Sequence, residues 1–183
     1  VLAQAVTRGD GTVGDDVTAN VRTIKSIPIK LHGDDFPAEF EIRGEIVMPR
    51  NVFDSINKQR EVDGDAPFAN PRNAASGTLK LLDPNVVASR KLDCYLYYVL
   101  GENLPYESHY QNLVKAREWG FKVPHTIHLA TSINNVLDFI NDWETKRHSL
   151  LFDTDGVVVK VNSLKQQKAL GFRSEERRVG KEC

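Results

Sequence analysis

The chain has 183 residues, with 24 basic and 25 acidic side chains and a formal net charge of −1. This length suits one domain whose core needs no disulfide or structural metal, and the charge balance excludes a strongly basic nucleic-acid coat while allowing a local basic face. Cys94 and Cys183 show no metal-ligand spacing and no disulfide framework, and no apolar run approaches a membrane span, so a reducing cytoplasm and no membrane partner are expected. The chain opens on Val1, which reads as an internal fragment, so the lack of a signal peptide says nothing.

Residues 1–7 read as the end of a strand. Thr7-Arg8-Gly9-Asp10-Gly11-Thr12-Val13-Gly14 follows, with three glycines in six positions. Such a turn can bring backbone N–H groups and Arg8 to an anion, and it can equally be an ordinary Asp-Gly hairpin loop. Asp15 and Asp16 open a helical pattern with Val17, Val21 and Ile24 on one face, stopped by Pro28. Residues 39–48 alternate as a half-buried strand. Phe40, Ile42, Ile46 and Met48 share one face with Gly44 between them, and Glu39, Glu41, Arg43, Glu45 and Val47 share the other. That second face is either solvated or the wall of a polar cleft. Pro49 ends the strand, and residues 51–60 read as a short helix on Val52, Phe53 and Ile56.

Residues 61–67 read as a loop. Residues 68–80 are rich in small side chains with cations placed at Arg72 and Lys80. The segment suits close approach of a bulky partner with both cations on phosphates, or a tight helix contact with both cations in water. Residues 92–100 predict a strand. Leu92, Cys94, Leu96, Tyr98 and Leu100 form one face, and Asp93, Tyr95, Tyr97 and Val99 the other. Its tyrosines either stack on a base or line the rim of the core. A helix over 108–119 capped by Gly120, a short strand or extended piece over 123–129 and a helix over 132–147 follow. The last carries Ile133, Val136, Leu137, Ile140 and Trp143 on one side.

Residues 151–162, Leu-Phe-Asp-Thr-Asp-Gly-Val-Val-Val-Lys-Val-Asn, predict a turn at Asp155-Gly156 and then a buried strand. Parity groups Val157, Val159 and Val161 on one face, and Gly156, Val158, Lys160 and Asn162 on the other. Lys160 is then either a lysine snorkelling from an edge strand or a fixed cation at the base of a cleft. A helix capped by Ser163 and ended by Gly171 comes next. Arg173 to Cys183 is charged, has no apolar face, and resembles the read-through translation of a sequencing adaptor. It is expected to be a non-native tail after a partial domain over 1–172. On these residues alone the chain is a mixed α/β domain with a polar cleft lined by Arg8, Glu45, Lys160 and Tyr97, suited to a nucleotide or another phosphorylated ligand.

Four motifs occur in order: Thr7-Arg8-Gly9-Asp10-Gly11, Arg43-Gly44-Glu45-Ile46, Asn70-Pro71-Arg72-Asn73-Ala74-Ala75-Ser76-Gly77 and Asp155-Gly156-Val157-Val158-Val159-Lys160-Val161-Asn162. Together they resemble the adenylation domain of bacterial NAD-dependent DNA ligases, from Val1 to about Phe172. The resemblance implies an α+β nucleotidyltransferase core, shared with capping enzymes, of antiparallel sheets flanked by helices. It implies sealing of 5′-phosphate/3′-hydroxyl nicks through enzyme-AMP and DNA-adenylate, in replication and repair. NAD and Mg²⁺ are the implied cofactors, and nicked duplex DNA the partner of a monomeric cytoplasmic enzyme. By resemblance, Arg8 and Lys160 contact AMP, Glu45 holds the ribose hydroxyls and Tyr97 stacks on adenine. Lys160 neutralises the phosphate. Arg72, Lys80 and Arg147 match cations facing phosphates or DNA. Lys80 departs from the arginine common there and loses its bidentate fork. The family's nucleophilic lysine, nicotinamide-recognition domain and zinc site are expected outside this chain, so the fragment alone is expected to be inactive. The alternatives are an ATP-dependent ligase or capping-type enzyme, and a non-catalytic nucleic-acid-binding module.

Overall fold

The computed structural model describes residues 1–171, so the expected tail over 173–183 lies outside the described residues. The described chain mixes helices with one two-stranded antiparallel sheet. Strand β1 (Glu41–Val47) pairs with β2 (Asp93–Leu100), both within the segments whose alternation called for strands. The two faces of the sheet differ in burial. Met48, Cys94, Leu96 and Val99 are buried in one core, whereas Glu41, Arg43 and Glu45 are exposed.

The helices are α1 (Thr18–Val21), α2 (Arg50–Asp63), α3 (Pro71–Leu79), α4 (Pro84–Ser89), α5 (His109–Glu118), α6 (Ile133–Lys146) and α7 (Leu164–Leu170). Short polar side chains set the starts of five of them. Asn70, Asp83, Ser108, Ser132 and Ser163 each accept from a backbone N–H in the first turn, which satisfies a donor the helix itself leaves open. Pro71 and Pro84 sit where a missing N–H costs nothing. Sequence patterning missed α4, because six residues give too little periodicity.

The core lies between one face of the sheet and α3 and α5. Trp119 and Met48 are its largest fully enclosed side chains. Phe40 packs on Trp119 and Phe121, and the Trp119 indole N–H donates to Asp35 at 3.1 Å. The small residues of α3 are consumed here: Ala74, Ala75 and Thr78 are buried. Their close approach therefore serves the protein's own core. Gly44 does the same work on β1, since a Cβ there would lie 2.5 Å from Leu96 Cδ2 and 2.7 Å from the Tyr95 carbonyl oxygen.

Several expectations are corrected. Residues 1–7 form no strand and contribute a single bridge, Val6 to Asp16. The helix expected after Asp15 shrinks to one turn, because the backbone tightens into turns at Thr23 and Ile24. Residues 123–129 form no strand. The apolar side of α6 is not fully buried: Ile133, Leu137 and Ile140 are exposed, while Val136 and Trp143 are half-buried. Residues 157–161 belong to no strand, and no turn forms at Asp155-Gly156. A strand exists only through a ladder partner, and this segment has none among the described residues. Its valines are exposed, Val158 most of all at 78%.

The strand faces of β2 are corrected as well. Arg43 opposes Tyr98 but Gly44 opposes Leu96, so Tyr97 is an extra residue in a β-bulge. Residues opposite each other share a face of the sheet. Beyond the bulge the parity therefore inverts. Val99, opposite Ile42, enters the core, while Tyr98 joins Arg43 on the polar side.

Candidate functional site

The polar side of the sheet gathers most of the candidate residues around Tyr97. The bulge presents its ring at 38% exposure. Lys160 arrives from the segment over 157–161, with its Nζ 5.1 Å from the Tyr97 ring centroid and 4.5 Å from that of Tyr98. Both are cation–π distances. Partial burial raises the Tyr97 pKa and the negative charge of Glu45 adds to it, while Arg43 and Arg8 act against them. Arg8, Glu45, Tyr97 and Lys160 thus share one electrostatic neighbourhood. Arg43 completes it, although patterning offered Arg43 only as one charge on a polar strand face.

Lys160 is exposed as a whole residue, but its ammonium lies against the two rings. That local desolvation lowers its pKa, and the charge of Arg43 lowers it further. A cation partly stripped of water in this way gains most from a bound anion.

The segment carrying Lys160 is pinned at both ends. Near its start, Arg50 binds Asp153 through two guanidinium nitrogens, the Arg50 N–H donates to the Leu151 carbonyl at 3.1 Å, and Phe152 packs on Tyr95 at 4.7 Å. Asp155 pairs with Arg72 at 3.4 Å, with both side chains largely in water. At its far end, Asn162 Oδ1 accepts from the Tyr110 N–H at 2.9 Å and from Ser108 Oγ at 3.0 Å. The Asn162 carbonyl takes the His109 N–H at 2.8 Å. Asn162 therefore ties the segment to the start of α5, a role no sequence signal marked.

The glycine-rich turn is a hairpin-type loop closed on itself. Asp10 Oδ1 accepts from the N–H groups of Thr12 and Val13, both at 2.8 Å, and these bonds hold its carboxyl below the usual range. Those donors are not offered to a ligand, so the turn contributes Arg8 rather than a backbone cradle. A Cβ on Gly9 would lie 1.7 Å from the Val13 carbonyl oxygen, and φ there is +54°, which explains the glycine.

The remaining cations stand apart. Lys80 pairs with Asp15 at 2.8 Å, and that hydrogen bond and charge lower the Asp15 pKa. Arg147 is exposed in the single 3₁₀ turn Arg147–Ser149 that follows α6, and no contact joins it to Tyr97 among the described residues. Cys94 is free and buried, and burial pushes its thiol up to about 12, so it supplies no thiolate. Among the described residues no group of three or more His, Cys, Asp or Glu side chains gathers to hold a metal, and no helix is long and apolar enough to cross a membrane.

An aromatic platform flanked by a carboxylate and several cations is chemically suited to a nucleotide. The sequence model of the NAD-dependent DNA ligase adenylation domain matches residues 1–180. The chain belongs to that family. It is 59% identical to a DNA ligase of Parabacteroides distasonis and 57% identical to one of Bacteroides fragilis, each over 97% of this chain and 27% of the relative. A DNA ligase of Flavobacterium psychrophilum is 55% identical over 97% of the chain and 26% of its own length. The chain thus spans about a quarter of the curated ligases it matches.

Proposed function

We propose that this segment forms part of the nucleotidyltransferase core of an NAD-dependent DNA ligase, and that Arg8, Glu45, Tyr97 and Lys160 bind the adenylyl half of NAD. The observation that carries the reading is the Lys160 ammonium over the ring of Tyr97, with the charges of Glu45, Arg43 and Arg8 near enough to act on that tyrosine. Tyr97 offers a flat ring for the adenine. Glu45 accepts hydrogen bonds from the ribose hydroxyls. Lys160 and Arg8 oppose the phosphate charge. NAD bound there would supply an adenylyl phosphate open to attack by a lysine with nicotinamide mononucleotide as the leaving group, the AMP then passing to the 5′-phosphate of a nick.

Lys160 holds charge in this scheme and is not the nucleophile. Its ammonium is engaged by two rings, and its task is to be strongest where phosphate charge develops. Mg²⁺ would enter on the phosphate oxygens, with few ligands from the protein. Arg72, Lys80 and Arg147 supply exposed charge for the phosphates of nicked duplex DNA.

The test uses the full-length ligase carrying this segment. Lys160→Ala slows single-turnover adenylation by about 10²–10³, the scale for losing one charge contact made in the transition state. Glu45→Gln keeps the fold and weakens NAD binding more than it slows the bound complex. Thermal melts run alongside. Near-normal adenylation by folded Lys160→Ala protein, or AMP found attached to Lys160 by peptide mapping, removes Lys160 from this role.

A further inference from the structure

Tyr98 and Gln167 sit beside the proposed site without lining it. The bulge at Tyr97 turns Tyr98 away from the main core, yet Tyr98 is only 9% exposed. Its cover comes from the pieces that hold Lys160. His109 packs on its ring at 5.0 Å, and its hydroxyl donates to Gln167 Oε1 at 2.6 Å. Gln167 Nε2 donates in turn to the carbonyl of Val161 at 2.5 Å. A backbone carbonyl only accepts, so the amide nitrogen must face Val161 and the amide oxygen is left for the tyrosine.

Val161 directly follows Lys160, and the Lys160 ammonium lies 4.5 Å over the same Tyr98 ring. The contacts therefore close a circuit. Tyr98 holds Gln167, Gln167 holds the backbone beside Lys160, and the Lys160 side chain returns to Tyr98. A flexible four-carbon stem is fixed at its root and at its tip by one aromatic side chain. Residues 157–161 have no ladder partner among the described residues to supply that order.

We propose that Gln167, bridging the Tyr98 hydroxyl to the Val161 carbonyl, is a positioning residue that sets the Lys160 ammonium for the adenylyl phosphate. The proposal rests on the assignment of Lys160 given above. Gln167 touches no substrate in this scheme and acts only through Lys160. Gln167 has the further task of closing the start of α7 onto the segment carrying Lys160, so a purely structural role is the competing explanation.

The experiment is a double-mutant cycle in the full-length ligase, with Gln167→Leu and Lys160→Ala made singly and together. Gln167→Leu keeps a side chain of similar bulk and removes both hydrogen bonds. Alone, it slows single-turnover adenylation by up to about 100-fold, the scale for misplacing a reacting partner by about 1 Å. In the Lys160→Ala background it costs almost nothing further. A second readout needs no NAD. In protein labelled with ¹³C at lysine Cε, the Lys160 signal, assigned by its loss in Lys160→Arg, is displaced by the tyrosine ring. It moves toward the position of exposed lysines in Gln167→Leu.

Equal slowing by Gln167→Leu in both backgrounds, an unmoved Lys160 signal, or normal adenylation by the single variant each overturns the positioning role. The last of these leaves the Lys160 assignment standing when Lys160→Ala is itself slow. Normal adenylation by Lys160→Ala removes that assignment and the positioning role with it.

Discussion

At the scale of single residues, steric and charge constraints decide more than residue type. Gly44 lies on the core face of β1, where the Leu96 side chain occupies the room a Cβ would take. Gly44→Ala should destabilise the domain by about 1–3 kcal/mol through overpacking, read as a lower melting temperature of the protein carrying it. An unchanged melt would mean that Leu96 yields without cost. His109 is a pH-sensitive counterpart. Burial, and then the nearby Lys160 charge, bring its pKa from 6.5 down to about 4. The unfolded chain therefore binds the proton more readily. Stability from this group is complete above about pH 6.5 and falls as the pH drops toward 4, by about 3 kcal/mol at most. Melts of the native protein and His109→Gln from pH 7 to 4 should converge as the pH falls, and parallel curves would exclude the effect.

At the scale of elements, the short pieces carry the site. The bulge in β2 adds one residue, and that residue is Tyr97. Without it, Tyr98 would point into the core and Val99 toward solvent, as strict alternation predicts. The segment from Leu151 to Asn162 works in place of a strand because both its ends are bonded to neighbouring elements. Asn162 binds the first turn of α5 through a side-chain oxygen and a backbone oxygen. Asn162→Ala removes only the side-chain half. It should loosen residues 157–161, read as faster amide hydrogen exchange there, while exchange in β1 and β2 stays as it was. Equal exchange in both proteins would show that the segment is held without this anchor.

At the scale of the whole molecule, a net charge of −1 conceals an uneven surface. Arg8, Arg43 and Lys160 lie close enough to act on one ring, whereas Lys80 is already paired with Asp15. Contact between Lys80 and a DNA phosphate would have to draw the ammonium from that carboxylate. Both groups are solvent-exposed, so the exchange costs little. In the full-length ligase, Lys80→Ala should flatten the salt dependence of nick binding by about 0.9 in the log–log slope, the share of one phosphate. An unchanged slope would leave Lys80 to Asp15 alone.

The sequence by itself determined both strands of the sheet, most of the helices, the Ser163 cap of α7 and the family. Local chemistry suffices for these: alternation marks a half-buried strand, a serine marks a helix start, and four ordered motifs mark a lineage. Only the tertiary structure decided which side of β2 Tyr98 faces, because a bulge depends on the register of the partner strand and not on local composition. It also decided that residues 157–161 form no strand. Four valines in five positions state a preference for β structure, but a ladder needs a second backbone. The neighbours of Lys160 follow from the same rule. Tyr98 and Gln167 lie 62 and 7 residues away in the chain, and folding alone brings both against it.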